Sequence, residues 1–461
     1  MMDKKTIFSL IDENESGLKE MAFDLWAHPE ISHEEYRSSK LQKDYLAARG
    51  FTIREVLNNP TSFIAEFGSG RPILGITGEY DALPKLSQKV SSCQEPLTSP
   101  DDAGHGCGHN LLGTGGVGAV CAVKECMEKE GLAGTLRYYG CAAEETLAGK
   151  PLMAKEGVFD DLDACISWHP SFLNVLWGCD FMAMNSMKFR FKGTPSHAAA
   201  APEAGRSALD AVELMNVGAN YLREHVVDAV RIHYAITNGG GLPNTVPADA
   251  EVWYYIRAPK RQDVRDTAAR LIKVAKGAAL MTETDMSYEL LAGCYNVLPN
   301  RAIGNAMYEN MCAAGSPGFG EEEFSFAAEF AAKLSPEAKR SVMETYFAPP
   351  EAAKMILCNE VLKNFDDGKL MCGSTDVGDV SYIAPFAQMT AACWPVGIAS
   401  HTWMASACTG SSIGVKAMLF AAKSMAATVY DLFTKPELLA EARAEFEQAT
   451  GGEAYCSPFD E

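Results

Sequence analysis

Residues 104–110 of this chain read Gly-His-Gly-Cys-Gly-His-Asn, so two histidines and a cysteine lie close together on a glycine-rich segment. Imidazole and thiolate are common ligands of borderline divalent ions such as Zn²⁺. The same side chains could instead form a nucleophile, Cys107, with His105 or His109 as its base. A buried structural thiol is a third alternative, because free cysteine usually behaves as a small hydrophobic residue. This segment alone leaves all three alternatives open.

Two adjacent glutamates, Glu144 and Glu145, follow a run that we expect to be a buried strand. Like charges that lose their water raise each other's pKa unless cations neutralise them. A metal site removes this conflict. One glutamate would bind an ion, and its neighbour would take a proton from a water whose pKa the ions lower and pass it to a leaving amine. A cysteine nucleophile would leave both glutamates unexplained.

Three histidines, His109, His169 and His401, each lie where an apolar run gives way to a turn. A histidine at a strand end is often structural, but open α/β sheets form their sites at the carboxyl ends of strands. The sequence therefore predicts that these histidines converge with Cys107 and the glutamate pair around two divalent ions, Zn²⁺ or Mn²⁺. The expected reaction is hydrolysis without a covalent intermediate.

Short apolar segments alternate with helical segments in the first part of the chain and predict the sheet that positions these residues. Ile73–Ile76, Leu136–Tyr139 and Ala164–Trp168 are apolar on both faces, which is typical of a parallel or mixed sheet covered by helices on two sides. From residue 186 the pattern becomes strand-helix-strand-strand-helix-strand. This order predicts a ferredoxin-like unit.

The length of 461 residues favours two domains, because single hydrophobic cores stop growing beyond roughly 250–300 residues. We expect an α/β protein with a catalytic domain formed by residues 1–185 and 296–461, whose mixed sheet is flanked by helices. A ferredoxin-like second domain at residues 186–295 would interrupt it, and a free face or edge of its sheet would join two copies into a homodimer. No role is assigned to an acidic helical stretch near residues 320–345.

The charge of the chain argues against polyanionic partners. Lys and Arg total 40 against 60 Asp and Glu, a net charge of −20, which opposes binding to nucleic acid or anionic membranes. The N-terminal segment lacks the apolar core of a signal peptide, and no run of about 18 apolar residues predicts a transmembrane helix. Fourteen scattered cysteines predict reduced thiols. We therefore expect a cytoplasmic protein that acts on small molecules.

A series of motifs along nearly the whole chain resembles one family. In order, they read WAHPEISHEEYRSS, GEYDALP, GHGCGHNLLGTGG, YGCAAEE, WHP, KGTPSHAAAAPEAGRSALDAVELMN, HYAITNGGGLPNTVPADAEVWYYIRAP, STDVGDVSYIAP and SHTW. The set is similar to the dinuclear metallopeptidases and amidohydrolases that include carboxypeptidase G, aminoacylases and auxin-conjugate hydrolases. The resemblance implies a catalytic α/β domain interrupted by a dimerising lid.

The resemblance also implies roles for individual residues of the catalytic domain. Glu144 would be the general base, and a thiolate would take the position of the bridging aspartate of other branches. Asp81 would orient a ligand, whereas Glu79 stands where other branches carry a histidine ligand. The implied metal ligands are Cys107, His109, Glu145, His169 and His401.

Three residues of the lid match functional positions of the family. His197 in TPSHAA matches a histidine that reaches the active site of the partner subunit and stabilises the oxyanion of the tetrahedral intermediate. Asn244 and Arg257 match positions that receive a substrate carboxylate, for which arginine offers two parallel donors. No functional role is predicted for His105, His225 or His233.

The resemblance implies a metal-dependent amidohydrolase that cleaves the amide between an acyl or aroyl group and an amino acid with a free carboxylate, with p-aminobenzoyl-glutamate as the expected substrate. A dipeptidase or an aminoacylase acting on other N-acyl amino acids is the alternative within this class. A non-catalytic subunit of a hydrolase, paired with a related chain, is the alternative outside it. The complete set of expected ligands argues against a decayed site.

Overall fold

The computed structural model describes residues 2–460, and the element bounds are as follows. The strands are β1 (Thr52–Glu55), β2 (Phe63–Ser69), β3 (Ile73–Glu79), β4 (Gly134–Cys141), β5 (Ala164–Ser171), β6 (Val175–Leu176), β7 (Asp180–Phe181), β8 (Ala183–Lys192), β9 (Arg231–Asn238), β10 (Asp249–Ala258), β11 (Asp285–Cys294), β12 (Leu370–Met371) and β13 (Phe386–Ala392). The α-helices are α1 (Lys4–Glu13), α2 (Glu15–Ala27), α3 (Tyr36–Ala47), α4 (His109–Glu130), α5 (Gly149–Lys155), α6 (Ala208–Leu222), α7 (Arg261–Thr282), α8 (Arg301–Ala314), α9 (Glu321–Ala331), α10 (Pro336–Thr345), α11 (Val377–Ser381), α12 (Trp403–Thr409), α13 (Ser412–Thr434) and α14 (Pro436–Thr450).

A seven-stranded mixed sheet has the strand order β1-β2-β4-β3-β5-β13-β6. Strand β3 runs parallel to β4 and β5, and β13 runs parallel to β5, whereas β1, β2 and β6 are antiparallel to their neighbours. Strand β4 is buried along its whole length, as expected for a strand covered on both faces. The predicted mixed sheet is confirmed. The carboxyl ends of β3, β4, β5 and β13 consequently meet at one edge.

Two long helices, α4 and α13, pack against each other and against this sheet. The run Gly-Thr-Gly-Gly-Val-Gly in α4 allows a close approach, since a Cβ atom on Gly115 would lie 2.8 Å from the indole nitrogen of Trp168. Helix α13 is the one helix of residues 2–460 that is long and apolar enough to cross a membrane. Because 83% of its most apolar window is buried, it packs as a central core helix.

A second, four-stranded antiparallel sheet has the order β11-β8-β10-β9. Along the chain its elements follow the sequence β8-α6-β9-β10-α7-β11, and α6 and α7 pack on each other and on the sheet. This connectivity and strand order are those of a ferredoxin-like unit, so that prediction is confirmed. Buried aromatic rings such as Phe189 and Tyr254 stack edge to face within its core, with centroids 5.8 Å apart.

The described residues divide into two compact units. One comprises residues 2–180, 298–371 and 380–455, and the other comprises 181–297, 372–379 and 456–460. The predicted domains at 1–185, 186–295 and 296–461 stay a prediction. The short segments 372–379 and 456–460 join the ferredoxin-like strands of the second unit, a feature that local sequence patterns do not signal.

Candidate metal centre

The glycine-rich loop positions Cys107 and His109 at the start of α4. Gly108 is the residue before the helix and has a φ of 81°, a left-handed conformation that glycine adopts without steric cost. A Cβ atom on Gly108 would also lie 2.8 Å from Pro170. Glycine is therefore required here for two reasons. The resulting tight turn buries both the thiol and the imidazole at the sheet edge.

Cys107, His109 and His169 form one group of candidate metal ligands, whose donor atoms all lie within 4.8 Å of one another. The Sγ atom of Cys107 lies 3.6 Å from Nε2 of His169. The Nδ1 atom of His169 donates to the carbonyl of Pro170 at 2.8 Å, which leaves Nε2 as the nitrogen with a free lone pair. The rings of His109 and His169 are nearly perpendicular, with centroids 5.8 Å apart.

Cys107, Glu145 and His401 form a second group, again within 4.8 Å of one another. Nε2 of His401 lies 3.4 Å from Oε2 of Glu145. His401 has a φ of 61°, and its backbone N–H donates to the carbonyl of Gly106 at 2.9 Å. This hydrogen bond ties the His401 loop to the Cys107 loop. Cys107 belongs to both groups and lies between them.

The donor separations fit divalent ions. Two nitrogen or oxygen donors at tetrahedral angles around a zinc-like ion are about 3.4 Å apart, and a sulfur and a nitrogen are about 3.5 Å apart. The observed separations of 3.4 Å and 3.6 Å match these values. Among residues 2–460, Nε2 of His109 and Oε1 of Glu145 are also buried without a hydrogen-bond partner. Buried polar atoms are normally satisfied, so both atoms fit a role as donors to an ion.

The electrostatics of the two groups are unfavourable without cations. Burial raises the pKa of the Cys107 thiol well above its usual range, and Glu145 adds to this effect. Burial raises the pKa of Glu145 to about 7, although His109 opposes the change. Burial also lowers the pKa of His169 to about 4. Divalent ions would favour the deprotonated, ligating form of each of these groups.

Asp81 contacts one candidate ligand of each group. Its Oδ1 atom lies 2.8 Å from Nδ1 of His109, and its Oδ2 atom accepts hydrogen bonds from the backbone N–H of Glu145 at 2.9 Å and from Ser32 at 2.8 Å. The first contact holds the Nε2 atom of His109 toward the Cys107 group. Asp81 is therefore placed to orient two of the candidate ligands, which is the role that carboxylates commonly have behind metal-bound histidines.

Glu144 lies beside His109 in the same buried region, with Oε2 of the glutamate 3.9 Å from Nε2 of the histidine. A turn after β4 brings both adjacent glutamates to the centre. It begins with Ala143, which has a φ of 57° and donates its N–H to the carboxylate of Glu35 at 2.8 Å. Glu35 is itself fully buried, and burial raises its pKa to about 7. Glu35 thus supports the turn without contacting the candidate ligands.

The structure also places Glu79 beside His109, and Lys150 beside Glu79. Oε2 of Glu79 lies 3.3 Å from Nε2 of His109, and Oε1 accepts a hydrogen bond from Nζ of Lys150 at 2.6 Å. Both side chains are buried. The sequence carries a signal for Glu79, because it is separated by one residue from Asp81 and the two side chains therefore point to the same side of the extended segment. No local pattern identifies Lys150.

The acidic stretch near residues 320–345 lies close to the loop that carries His401 and to the end of the strand that carries His169. Phe330 in α9 packs on Trp403, two residues after His401, with ring centroids 5.9 Å apart. Tyr346 at the end of α10 packs edge to face on Phe172, which follows the end of β5, at 5.1 Å. These aromatic contacts give the insert a structural role next to the candidate centre.

His105 belongs to neither donor group. Its ring is buried, and Nε2 contacts the carbonyl of Leu25 at 3.2 Å. Burial lowers the pKa of His105 to about 3. Because Nε2 contacts the carbonyl of Leu25 and the lowered pKa makes the imidazole a weak base, His105 is not favoured as the base for Cys107.

The predicted lid residues lie in the second unit. His197 forms a bridge with Thr245, and Ala198 donates its N–H to the carbonyl of Asn244 at 2.9 Å, so His197 and Asn244 are neighbours. His197 is exposed, and its Nδ1 atom accepts backbone hydrogen bonds from the two alanines at 199 and 200. Its Nε2 atom therefore carries the proton of the neutral ring and can donate it in a hydrogen bond.

Arg257 lies apart from that pair, in β10 of the same unit. One guanidinium nitrogen donates to the hydroxyl of Ser374 at 3.0 Å, and the group lies over the ring of Tyr255 at 5.7 Å. These two contacts restrict the side chain and leave further donors of the guanidinium available for a carboxylate.

Comparison with known proteins identifies the family. Residues 75–275 match peptidase family M20/M25/M40. The chain is 42% identical over 459 residues to one subunit of the p-aminobenzoyl-glutamate hydrolase of Escherichia coli K12, covering 97% of this chain and 95% of that protein. It is 28% identical to the Xaa-Arg dipeptidase of Mus musculus, covering 96% of this chain and 92% of that one.

A solved structure described as a dinuclear metal-binding peptidase from the M20 family, from Bacillus subtilis, superposes with a TM-score of 0.55 at 17% identity, over 90% of this chain and 98% of that one. At this identity the likeness supports the fold alone. The 42% identical bacterial relative, by contrast, aligns along almost the full length of both chains. On these findings, the chain belongs to the peptidase family M20/M25/M40.

Proposed function

We propose that this protein is an amidohydrolase that uses two divalent ions. The observation that carries this proposal is the sharing of Cys107 between two groups of donor atoms. In the proposed centre, Cys107, His109 and His169 hold one ion, and Cys107, Glu145 and His401 hold the other. Zn²⁺ and Mn²⁺ both suit a set of imidazole, carboxylate and thiolate donors.

When bound, the two ions supply a water of lowered pKa and polarise the amide carbonyl. In our proposal Glu144 accepts the proton of the attacking water and returns it to the nitrogen of the leaving amino acid. The position of its carboxylate beside His109 supports this role. Asp81 holds His109 through Nδ1 and receives the N–H of Glu145, so that both ligands keep their orientation during the reaction.

We propose p-aminobenzoyl-glutamate as the substrate. The name of the 42% identical Escherichia coli relative supports this choice. Arg257 would receive the free carboxylate of the amino acid, and Asn244, the neighbour of His197, would reach that carboxylate from the other copy of the proposed homodimer. A dipeptidase is the second candidate, and the name of the mouse relative favours it. The exposed Nε2–H of His197 would stabilise the oxyanion that forms at the carbonyl.

A substrate panel tests this proposal. Purified protein loaded with Zn²⁺ or Mn²⁺ should release p-aminobenzoate from p-aminobenzoyl-glutamate with a kcat/KM at least about tenfold above that for Xaa-Arg dipeptides or N-acetylated amino acids, the difference that one favourable pocket contact provides. Arg257→Met should raise KM for the preferred substrate, because it removes two donors to the carboxylate. Faster release of amino acids from dipeptides would favour the second candidate.

The role of His197 predicts a complementation between variants. His197→Ala should lower kcat by about 10²–10³-fold, because it removes one oxyanion donor. If two copies form a homodimer in which each His197 serves the partner's site, a 1:1 mixture with an inactive Glu144→Gln variant should recover about one quarter of wild-type activity after subunit exchange. Activity is measured with p-aminobenzoyl-glutamate.

His225→Ala is the matched control for that experiment, because His225 is an exposed histidine of the same unit. It should leave kcat unchanged. If the mixture stays inactive although exchange is verified by labelled subunits, each lid serves its own chain and the proposed dimeric site is wrong.

We further propose that the protein works in the cytoplasm and pairs with a related chain. All fourteen cysteines are free thiols, which suits a reducing compartment. The Escherichia coli relative is named as one subunit of its hydrolase, and the other named subunit of that hydrolase is 30% identical to this chain over 236 residues. These names support a paralogous partner in addition to a second copy of the chain. Metal content and activity of the purified single chain distinguish an autonomous enzyme from a subunit that requires its partner.

A further inference from the structure

We propose that Glu35 is a positioning residue for Glu144, the general base of the proposed function, and that it acts by fixing the backbone turn that carries the base. The inference rests on that function and adds a residue on which its proton transfer depends. Glu35 belongs to the first sequence motif, WAHPEISHEEYRSS, which has no role in the mechanism so far.

The turn that carries the base has an unusual backbone conformation. Ala143 and Leu147, on either side of Glu144, both have a φ of 57°, in the left-handed region that residues other than glycine rarely adopt. Such conformations are unfavourable and persist where the surrounding contacts hold them in place. The position of the base therefore depends on the groups that bind this turn from outside.

Two buried carboxylates hold the turn, one on each side of the base. Oε1 of Glu35 accepts the backbone N–H of Ala143 at 2.8 Å, and Oδ2 of Asp81 accepts the backbone N–H of Glu145 at 2.9 Å. The backbone is thus anchored one residue before Glu144 and one residue after it. These two hydrogen bonds set the direction in which the side chain of Glu144 leaves the backbone.

Glu35 is itself held firmly. Its side chain is completely buried, and its Oε2 atom accepts a hydrogen bond from the hydroxyl of Thr61 at 2.9 Å. The backbone carbonyl of Glu35 accepts the N–H of Ser39 at 2.9 Å, which ties the residue to α3. A buried carboxylate costs free energy that an apolar side chain would not, so its presence indicates a need for its hydrogen bonds.

The residues just before Glu35 contact the same region. Oγ of Ser32 donates to Oδ2 of Asp81 at 2.8 Å, and Nε2 of His33 lies 3.2 Å from the hydroxyl of Thr146. His33 also has a left-handed conformation, with a φ of 70°. The segment 32–35 therefore supports the turn directly and also supports the carboxylate that holds its other end.

This arrangement separates the base from the ligand beside it. A shorter side chain at position 35 would release the N–H of Ala143, whereas the N–H of Glu145 would stay bound to Asp81. The ligand would then keep its place and the base would shift. A general base must stay within hydrogen-bond reach of the water, and a shift of about 1 Å can lower the rate by about 10²-fold.

Two substitutions of Glu35 test the inference in the Zn²⁺-loaded full chain. Glu35→Asp keeps the charge but withdraws the acceptor, and it should lower kcat by about 10–10²-fold with KM unchanged and two ions bound. Glu35→Gln loses the charge but keeps an oxygen for Ala143, and it should stay within about threefold of wild-type kcat. Hydrolysis of p-aminobenzoyl-glutamate and metal analysis provide these values.

Hydrogen exchange of the metal-free chain provides a readout that is independent of activity. In Glu35→Asp the peptide 142–148 should exchange at least about fivefold faster than in wild type, because Ala143 loses its acceptor, and Glu35→Gln should exchange normally. Glu445→Asp is the matched control, since the carboxylate of Glu445 also accepts backbone N–H groups, at the start of α8. It should leave both kcat and the exchange of this peptide unchanged.

Several results would overturn the inference. Unchanged kcat in Glu35→Asp would make Glu35 a structural residue only, and loss of an ion would show that it acts through Glu145. A Glu35→Gln variant as slow as Glu35→Asp would show that the charge matters and not the hydrogen bond. If Glu35→Asp does not fold, Thr61→Val should lower kcat about fivefold by releasing Oε2, and an unchanged kcat would then contradict the inference.

The wild-type protein distinguishes this failure from failure of the proposed function. Wild-type protein that hydrolyses nothing in the substrate panel would contradict the function, and the inference with it. Active wild-type protein together with an unaffected Glu35→Asp variant would contradict only the role of Glu35.

Discussion

Glu144→Gln should lower kcat by about 10²–10⁴-fold, the usual contribution of a general base, while both metal ions remain bound. Glutamine has nearly the same shape as glutamate but cannot accept the proton of the attacking water. Oε2 of Glu144 lies 3.9 Å from Nε2 of His109, which is close enough to reach a water at the proposed ions. The measurement combines steady-state hydrolysis of p-aminobenzoyl-glutamate with the metal content of the purified variant.

The adjacent residue provides the matched control. Glu145→Gln should weaken the ion shared with His401, because Oε2 of Glu145 lies 3.4 Å from that imidazole. The two neighbouring substitutions should therefore separate loss of the base from loss of a ligand. If Glu144→Gln loses metal and Glu145→Gln does not, the two roles are exchanged.

Cys107→Ala should weaken binding of both ions, each by more than about 100-fold, and abolish activity at ordinary metal concentrations, because it removes one donor from each site directly and not through an outer partner. No other single residue belongs to both the group with His169 and the group with His401 among the described residues. A calorimetric titration with the metal ion measures the two affinities. Retention of one ion at full affinity would show that the thiolate is not shared.

Two variants complete that experiment. Cys107→Asp should restore part of the metal binding, because a carboxylate can also bridge two ions, whereas a nucleophilic cysteine would not be replaced by aspartate. Cys121→Ala removes another buried thiol, in the middle of α4, and should bind two ions as wild type does. Activity of Cys107→Asp in added Mn²⁺ would therefore argue strongly against the nucleophile alternative.

The architecture could be predicted from local patterns because its elements are encoded locally. The segments Ile73–Ile76, Leu136–Tyr139 and Ala164–Trp168 are apolar on both faces, and each forms part of a buried strand of the mixed sheet. The strand-helix-strand-strand-helix-strand order predicted the ferredoxin-like unit. Polar residues at the ends of apolar runs also predicted where the candidate ligands gather, since parallel strands end at a common edge.

The chemistry of the centre depends on contacts that no local pattern encodes. Cys107 and His401 are distant along the chain, and only the adjacency of β5 and β13 and the hydrogen bond between the two loops bring them together. The buried partner of Glu79 could not be predicted either, because Lys150 in a helical segment resembles any exposed lysine. Its charge is buried only because Gly149 allows α5 to approach the strand end.

The sequence by itself thus determined which side chains can bind ions or move protons, and on which kinds of element they lie, because residue chemistry and periodicity are local properties. Only the tertiary structure decided that Cys107 belongs to two groups of candidate donor atoms, that Asp81 contacts both His109 and the backbone N–H of Glu145, and that Glu79 faces His109. Those facts depend on distances between segments, and strand order and helix packing set these distances.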